Sequence, residues 1–251
     1  MGPVILRILL ALGCAAVAAA QTEVPKDLEL FLLIGQSNMA GRGAVGAEDR
    51  APLPRVFALN QKMEWVPAVD PLHFDKPDVA GVGIGRSFAR VLTKEWPEAN
   101  IGLIPAAFGG SALNEWSSDG KHYPNAIRRA REAMKSGRLR GILWHQGEAD
   151  SGKEELARSY RERFAALVTR LRADLNAPDV PVVVGQLGPF YAGAFAGTVN
   201  EQLALVPLLV PRSAFVSSAG LVHKGDNVHF DTPSLHEFGR RYGYVFLSLV
   251  P

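Results

Sequence analysis

The stretch "LFLLIGQSNMAGRG", residues 30–43, decides how the rest of the sequence is interpreted. It opens with five apolar residues, and Gly35 ends that run before polar side chains follow. An apolar run bounded by a glycine predicts a buried strand. In a parallel α/β sheet, ligands bind just beyond the carboxyl ends of the strands. Ser37 is therefore either a helix cap or a nucleophile. The two roles are distinguished by whether other segments supply the groups that a nucleophilic serine needs.

Five segments predict strands, because each is almost continuously apolar, as strands covered on both faces of a sheet are. They are residues 28–35, 101–107, 139–146, 180–187 and 213–220. Apolar residues at helical spacing predict helices over residues 83–96, 124–137, 153–175 and 232–249. This alternation predicts an α/β fold, namely a three-layer α/β/α sandwich around a five-stranded parallel sheet.

Local signals refine this prediction at two places. The glycine- and proline-rich residues 41–82 predict irregular loops that cover the site or pack on the edge of the sheet. Thr232 and Pro233 predict the start of the last helix, as its cap and its first helical residue. The carboxylate of Asp231 is predicted to serve the same helix start.

The composition limits the classes of protein that this chain can be. Its 251 residues, 47% of them hydrophobic and 21% charged, suit one globular domain with a sizeable core. The formal net charge is only +2, so nucleic acid is not an expected partner. The basic residues 128–140 are interspersed with apolar ones and are interpreted as the solvated face of a helix.

Residues 1–20 predict a signal peptide, since one arginine precedes an apolar stretch and small residues at Ala18 and Ala20 form a cleavage site. A secreted or periplasmic location is therefore expected, with residues 21–251 as the functional domain and no stable membrane association after cleavage. A retained anchor is the alternative. Cleavage would remove Cys14, the single cysteine, and with it any disulfide or thiol nucleophile.

The segment "DNVHFD" supplies the groups that would make Ser37 a nucleophile. Asp226 stands three residues before His229 in this segment, which follows the fifth predicted strand. A serine hydroxyl needs an imidazole to take its proton, and the imidazole needs a carboxylate on its other nitrogen. One turn can deliver both groups, so Ser37, Asp226 and His229 form a candidate catalytic triad.

An acyl-transfer site also needs donors for the oxyanion that develops on the substrate carbonyl. Gly110, in "FGGS", can offer its backbone N–H at close range because it has no side chain. Gln146, in "WHQGEAD", can offer its side-chain amide, and the N–H of Ser37 is a third candidate. The polar segments follow the ends of predicted strands, so they are expected to meet at one edge of the sheet.

Other histidines, two tryptophans and a glycine-rich segment are expected to lie outside the catalytic chemistry. His145 is expected to hold its loop, His122 and His223 to lie on surface loops, and Trp116 and Trp144 to lie near the site and stack on sugars. "GVGIG", residues 81–85, lacks the spacing of a dinucleotide-binding motif. No cluster of side chains has the spacing of a metal site, and no cofactor is expected.

"GQSNMAG", "GGS…EW", "GILWHQGEAD" and "DNVHFD" together resemble the blocks of the SGNH (GDSL-like) hydrolase superfamily. They resemble more narrowly its sialate O-acetylesterase-like branch, which includes carbohydrate esterase family six, the acetylxylan esterases. The resemblance implies a flavodoxin-like fold and hydrolysis of O-acetyl esters on carbohydrates. It implies Ser37 as nucleophile and His229 as base. It also implies an oxyanion hole containing Gly110 and Gln146, where the broader superfamily has an asparagine in place of that glutamine.

Two questions stay open at this point. The acid partner of His229 is Asp226 by the superfamily pattern or Glu148 as in some members of the branch, and the shared loop favours Asp226. The resemblance implies an acetylated carbohydrate as the substrate. The alternatives are an esterase of the same fold that acts on non-carbohydrate esters, and a carbohydrate-binding protein that has lost catalysis.

Overall fold

A computed structural model describes residues 26–250 of the chain. The predicted signal peptide, residues 1–20, lies outside the described residues. Within residues 26–250, no helix is both long enough and apolar enough to span a bilayer.

Seven strands form one mixed sheet, so the predicted three-layer α/β class is confirmed but the five-stranded parallel sheet is wrong. The strand order is β3-β2-β4-β1-β5-β6-β7, and only the β2–β3 pair is antiparallel. The strands are β1 (Leu28–Gly35), β2 (Val56–Leu59), β3 (Trp65–Pro67), β4 (Ile101–Pro105), β5 (Gly137–His145), β6 (Val182–Gly185) and β7 (Ser213–Val216).

The two unpredicted strands, β2 and β3, lie inside the segment interpreted as loops. They have four and three residues, which is too short for an apolar pattern to stand out among glycines and prolines. They extend the sheet beyond β4, where Phe57 pairs with Gly102 on one side and with Pro67 on the other. This edge of the sheet is thus made by two short strands that the local amino-acid composition does not predict.

Nine α-helices connect and cover the described strands. They are α1 (Ser37–Ala40), α2 (Ala47–Arg50), α3 (Gly85–Glu95), α4 (Tyr123–Ala133), α5 (Glu154–Arg158), α6 (Tyr160–Asp174), α7 (Ala196–Ala204), α8 (Val206–Leu209) and α9 (Thr232–Leu247). Short 3₁₀ helices span Pro77–Val79 and Leu113–Trp116. The single helix predicted over residues 153–175 is divided at Ser159, and Asp231 rather than Thr232 is the N-cap of α9.

The core has two layers, one on each face of the sheet. Along β1, Leu30 and Leu32 point to the layer that α4, α6 and α7 cover, whereas Phe31 and Leu33 point to the layer under α3 and α9. In that second layer the Phe31 ring packs edge-to-face on Phe88 and Phe246, with centroids 4.9 and 5.1 Å apart. Both faces of the central strand are therefore buried, as its apolar sequence predicts.

Candidate active site

The nucleophile candidate lies where β1 turns into α1. Gly35 has a φ of +126°, and a Cβ there would lie 2.2 Å from the carbonyl oxygen of His145, so only glycine fits this strand end. Ser37 follows as the first residue of α1 and is only 6% exposed. The first N–H groups of a helix have no partner within it, and the Ser37 N–H has no acceptor among residues 26–250, so it can donate to a ligand.

His229 lies between Ser37 and Asp226. Its Nε2 is 2.9 Å from Ser37 Oγ, and its Nδ1 is 2.7 Å from Asp226 Oδ2. A carboxylate only accepts hydrogen bonds, so Nδ1 carries the proton and Nε2 accepts from the serine hydroxyl. The structure thus brings together the three residues that the sequence predicts, in the arrangement that activates a serine.

Asp226 is held as an anion by the loop that carries it. Partial burial acts to raise the pKa of its carboxyl, but hydrogen bonds from the His229 N–H, the His229 ring and the Val228 N–H outweigh it and lower the pKa to about 2. The ammonium of Lys224 lies 3.9 Å from Oδ2. Asp226 is therefore charged at any pH at which the protein would work.

The loop itself is closed at its base. His223 and Phe230 form an antiparallel bridge, and the Lys224 N–H donates to the carbonyl of His229 at 2.9 Å. The Nδ1 atom of His223 accepts from the N–H groups of Gly225 and Asn227. His223 therefore shapes the loop that presents His229.

Gly110 stands on the other side of Ser37, in the turn after β4. Its φ is +81°, and its N–H has no acceptor among residues 26–250. The preceding Gly109 N–H donates to Asp75 Oδ2 at 2.8 Å, and Asp75 forms a buried ion pair with Arg42 at 2.6 Å. Asp75 and Arg42, which the sequence analysis did not single out, thus hold the glycine turn.

The Gln146 amide is not free to bind an oxyanion, in contrast to the expectation from the sequence. The side chain is fully buried, and its Nε2 donates to Asp150 at 2.7 Å and to the carbonyl of Ser111 at 3.1 Å. Its Oε1 accepts from the hydroxyl of Tyr160 at 2.7 Å. Both polar atoms of the Gln146 side chain are therefore engaged inside the protein.

Gln36, which the sequence pattern did not single out, is a second glutamine beside Ser37. It lines the pocket beside Ser37. Its Oε1 is 3.3 Å from both Gln146 Nε2 and the backbone N of Ala149. Because both of these groups are donors, they fix the orientation of the Gln36 amide with its oxygen towards them. The Nε2 of Gln36 has no acceptor among the described residues and is the amide donor available to a ligand.

Glu148, the alternative acid, contacts a different side chain. Its Oε1 accepts from Asn38 Nδ2 at 2.8 Å and lies 4.0 Å from His145 Nδ1. His145 is fully buried, which lowers the pKa of its ring, and its Nε2 donates to the carbonyl of Gln186. The Nδ1 of His229 has Asp226 as its carboxylate partner.

These residues open on a cavity of about 570 Å³ at the carboxyl edge of the sheet. Its walls come from the segments after β1, β4, β5, β6 and β7, as expected of ligand sites in α/β folds. Arg42, Lys76 and Lys224 contribute positive charge, Glu148 and Asp226 contribute carboxylates, and Tyr191 contributes an aromatic ring. Such a cavity, with an activated hydroxyl and converging N–H donors, is suited to acyl transfer.

Comparison with known proteins identifies the family. Residues 27–248 match the family described as "Carbohydrate esterase, sialic acid-specific acetylesterase". The chain belongs to this family. It is 33% identical over 247 residues to "Probable carbohydrate esterase At4g34215" of Arabidopsis thaliana, covering 91% of this chain and 93% of that protein. Membership makes the chain a carboxylic ester hydrolase.

Solved structures of relatives share the fold of this esterase. The Arabidopsis thaliana protein superposes with a TM-score of 0.82 at 32% identity, over 89% of this chain and 99% of that one. The structure of NanS superposes with a TM-score of 0.74 at 19% identity, over 89% of this chain and 98% of NanS. At that identity the second similarity concerns the fold alone.

The two tryptophans expected beside the site of this esterase are in its core. Trp116 and Trp144 are almost fully buried, and their rings meet edge-to-face with centroids 5.6 Å apart. Trp116 Nε1 donates to Ser111 Oγ, and Trp144 Nε1 donates to the Tyr160 hydroxyl. Strand and turn pattern cannot tell a rim tryptophan from a core one, and the prediction of sugar stacking by these rings is wrong.

His122 also lies inside rather than on a surface loop. It is 7% exposed and stacks on Phe108, with ring centroids 4.4 Å apart. Burial lowers the pKa of its ring, although Glu115 lies 3.5 Å from Nε2 and opposes that effect. His122 therefore supports the segment after β4 as a neutral packing group.

One group of potential metal ligands occurs among the described residues. Atoms of Glu48, Asp49 and His236 lie within 4.8 Å of one another. Asp49 already accepts hydrogen bonds from His236 and from the Gly46 N–H, and the guanidinium of Arg86 lies 3.7 Å from it. The charge that a cation would bring is thus already supplied by Arg86.

Proposed function

We propose that this protein is a serine hydrolase that removes O-acetyl groups from carbohydrates of the acetylxylan or sialate type through an acetyl-serine intermediate. The observation that carries the proposal is the hydrogen-bonded line from Ser37 Oγ through His229 to Asp226, with distances of 2.9 and 2.7 Å, at the wall of a cavity. In this line each group has the partner that its role requires.

In the acylation step, Ser37 Oγ attacks the ester carbonyl while His229 Nε2 takes the hydroxyl proton. Asp226 stabilises the imidazolium that forms. The carbonyl oxygen becomes an oxyanion, which accepts hydrogen bonds from the N–H groups of Ser37 and Gly110 and from Gln36 Nε2. Collapse of this intermediate expels the sugar alkoxide, which takes the proton from His229 and leaves an acetyl group on Ser37.

In the deacylation step, water enters where the sugar has left. His229 takes a proton from the water as its oxygen attacks the acetyl carbon, and the same donors hold the second oxyanion. The bond to Ser37 Oγ then breaks, Oγ recovers its proton from His229, and acetic acid leaves and ionises to acetate and a proton in the solvent. Atoms and charges balance without any further group.

The ammonium of Lys76 in the cavity wall favours the sialate type over a neutral acetylxylan. Lys76 has no carboxylate within ion-pair distance among residues 26–250, and its ammonium lies 3.9 Å from the point where a Cβ on Gly110 would stand. It therefore lies beside Gly110 in the wall of the cavity that would hold the acyl sugar. A sugar that carries a carboxylate would pair with this ammonium, whereas Arg42 is already neutralised by Asp75.

The proposal is tested by measuring acetate release from acetylated xylan, from an O-acetylated sialoside and from an aryl acetate. Wild type is compared with Ser37→Ala, and we expect the variant to lose at least about 10³-fold in kcat. Release from the aryl acetate alone would favour the alternative, an esterase for non-carbohydrate esters. If wild type released no acetate from any substrate, the hydrolase would be rejected in favour of a carbohydrate-binding protein.

A further inference from the structure

Asn38, the residue after the candidate nucleophile, bonds the backbone on both sides of His229. Its Nδ2 donates to the carbonyl of Val228 at 3.2 Å, and its Oδ1 accepts from the N–H of Phe230 at 3.1 Å. A neighbouring β-strand would bond the same two backbone groups. One side-chain amide thus ties the segment that carries His229 to the helix that carries Ser37.

The orientation of this amide is determined by its three partners. If the amide were rotated by 180°, Nδ2 would face the donor of Phe230, and Oδ1 would face the carbonyl of Val228. It would also place Oδ1 against the carboxylate of Glu148, where Nδ2 now donates at 2.8 Å. Because Asn38 is 1% exposed, water cannot replace a lost partner at low cost.

Glu148 therefore holds Asn38, and Asn38 holds His229. Glu148 is 5% exposed, its Oε1 contacts Asn38, and its other oxygen has no partner among the described residues. The one titratable side chain within ion-pair distance of it there is His145, whose Nδ1 lies 4.0 Å from Oε1. No hydrogen bond joins Glu148 to His229 among the described contacts, whereas Asp226 bonds it directly.

We propose that Asn38 is a positioning residue for His229 and that Glu148 acts on His229 through Asn38 rather than as its acid partner. This inference rests on the proposed serine-hydrolase function. It assigns the two carboxylates near the site to different tasks. Asp226 supplies the charge that His229 needs, and Glu148 supplies a hydrogen-bond acceptor that keeps the Asn38 amide in place.

The two tasks differ in whether they need charge, and this difference defines the experiment. A glutamine at position 148 keeps an oxygen that can accept from Asn38 but carries no charge, whereas an alanine removes the acceptor. We expect Glu148→Ala to lower kcat on an aryl acetate about 100-fold, through misplacement of His229. We expect Glu148→Gln to lose no more than about tenfold, as for a weakened hydrogen bond, and to keep the wild-type pH profile.

Asn38→Ala completes the test as a double-mutant cycle. If Glu148 acts through Asn38, adding Glu148→Ala to Asn38→Ala lowers kcat by less than about threefold more. Independent roles would instead multiply the two losses. Asp226→Asn serves as the matched control, since amide replacement of a triad carboxylate costs about 10⁴-fold.

Each outcome has a distinct meaning. The proposal would be overturned if Glu148→Gln lost about as much kcat as Asp226→Asn. It would also be overturned if the losses in kcat of Asn38→Ala and Glu148→Ala multiplied in the double variant. Either result would make Glu148 a direct partner in catalysis. Urea unfolding of every variant separates misplacement from loss of fold, and Glu148→Gln, which has the size of the native residue, remains informative if Asn38→Ala unfolds. Inactive wild type, or active Ser37→Ala, would instead reject the hydrolase itself.

Discussion

At the scale of single residues, the hydrogen bonds that each site residue already makes determine what it can still do in the site. Asp226 accepts three hydrogen bonds from its own loop and so stays charged. Gln36 has its carbonyl oxygen engaged by Gln146 and Ala149, so its amide nitrogen is the free end. The bonds to Asp226 thus fix its charge, and the bonds to Gln36 leave its Nε2 atom as the available donor.

The first prediction concerns the charge of Asp226. Because its pKa is about 2, Asp226 stays ionised from pH 4 to 9, so the effect of removing its charge should be the same throughout this range. Asp226→Asn should lower kcat about 10³- to 10⁴-fold across that range. Asp119→Asn, a change at an exposed carboxylate, should leave kcat as it is, and kcat measured against pH checks both variants.

The second prediction concerns the oxyanion donor. Gln36→Ala should lower kcat on an aryl acetate about 10²- to 10³-fold, as removal of one such donor does, with a smaller change in KM. Gln61→Ala, the same substitution at an exposed glutamine, is the control and should leave kcat as it is. A kcat for Gln36→Ala within threefold of wild type would show that the donor is another group.

At the scale of elements, the site depends on how strands end and helices begin. β1 ends at a glycine that no other residue can replace without meeting His145, and α1 is a single turn that starts at Ser37. The N-cap of α9, Asp231, lies two residues after His229 and accepts from the Ser234 N–H at 2.8 Å. The ends of these elements therefore position two of the three triad candidates.

The third prediction tests the start of α9. Asp231→Ala removes its N-cap and should lower the free energy of unfolding by about 1 kcal/mol, while Asp231→Asn retains an accepting oxygen and should lose less. Urea unfolding measures both variants. Because the cap adjoins the catalytic loop, the alanine variant should also lose more kcat than the asparagine variant, and equal losses would contradict this coupling.

At the scale of the whole molecule, a buried charge cluster joins segments that are distant in sequence. Arg86, on α3, lies 3.7 Å from Asp49 on α2 and 3.6 Å from Asp70 in the segment after β3. His236, on α9, bonds Asp49 at 2.8 Å. Burial raises the pKa of Asp70 to about 7, although Arg86 opposes this effect.

The fourth prediction follows from that raised pKa. The folded protein holds a proton on Asp70 that the unfolded chain releases near pH 4, so the contribution of Asp70 to stability is full below pH 4 and is lost as pH rises through 7. From pH 8 to 5, stability of wild type should therefore increase by about 2 kcal/mol relative to Asp70→Asn. Urea unfolding of both proteins at several pH values measures this difference, and parallel curves would contradict it.

The sequence by itself determined the α/β class, five of the seven strands and the meeting of Ser37, Gly110, Asp226 and His229 at one cavity. These features follow from local signals, namely continuous apolar runs, glycines at strand ends and a carboxylate three residues from a histidine in one turn. Such signals are carried by neighbouring residues, so they can be read before the chain folds.

Only the tertiary structure decided the edge strands β2 and β3, the burial of Trp116 and Trp144, and which of Gln36 and Gln146 keeps a free amide. The physical reason is that these outcomes depend on partners far away in sequence. Asp150, Ser111 and Tyr160 occupy the polar atoms of the Gln146 side chain, and three residue pairs with β4 join β2 to the sheet. A hydrogen-bond donor becomes available or engaged only when the fold brings its partner to it.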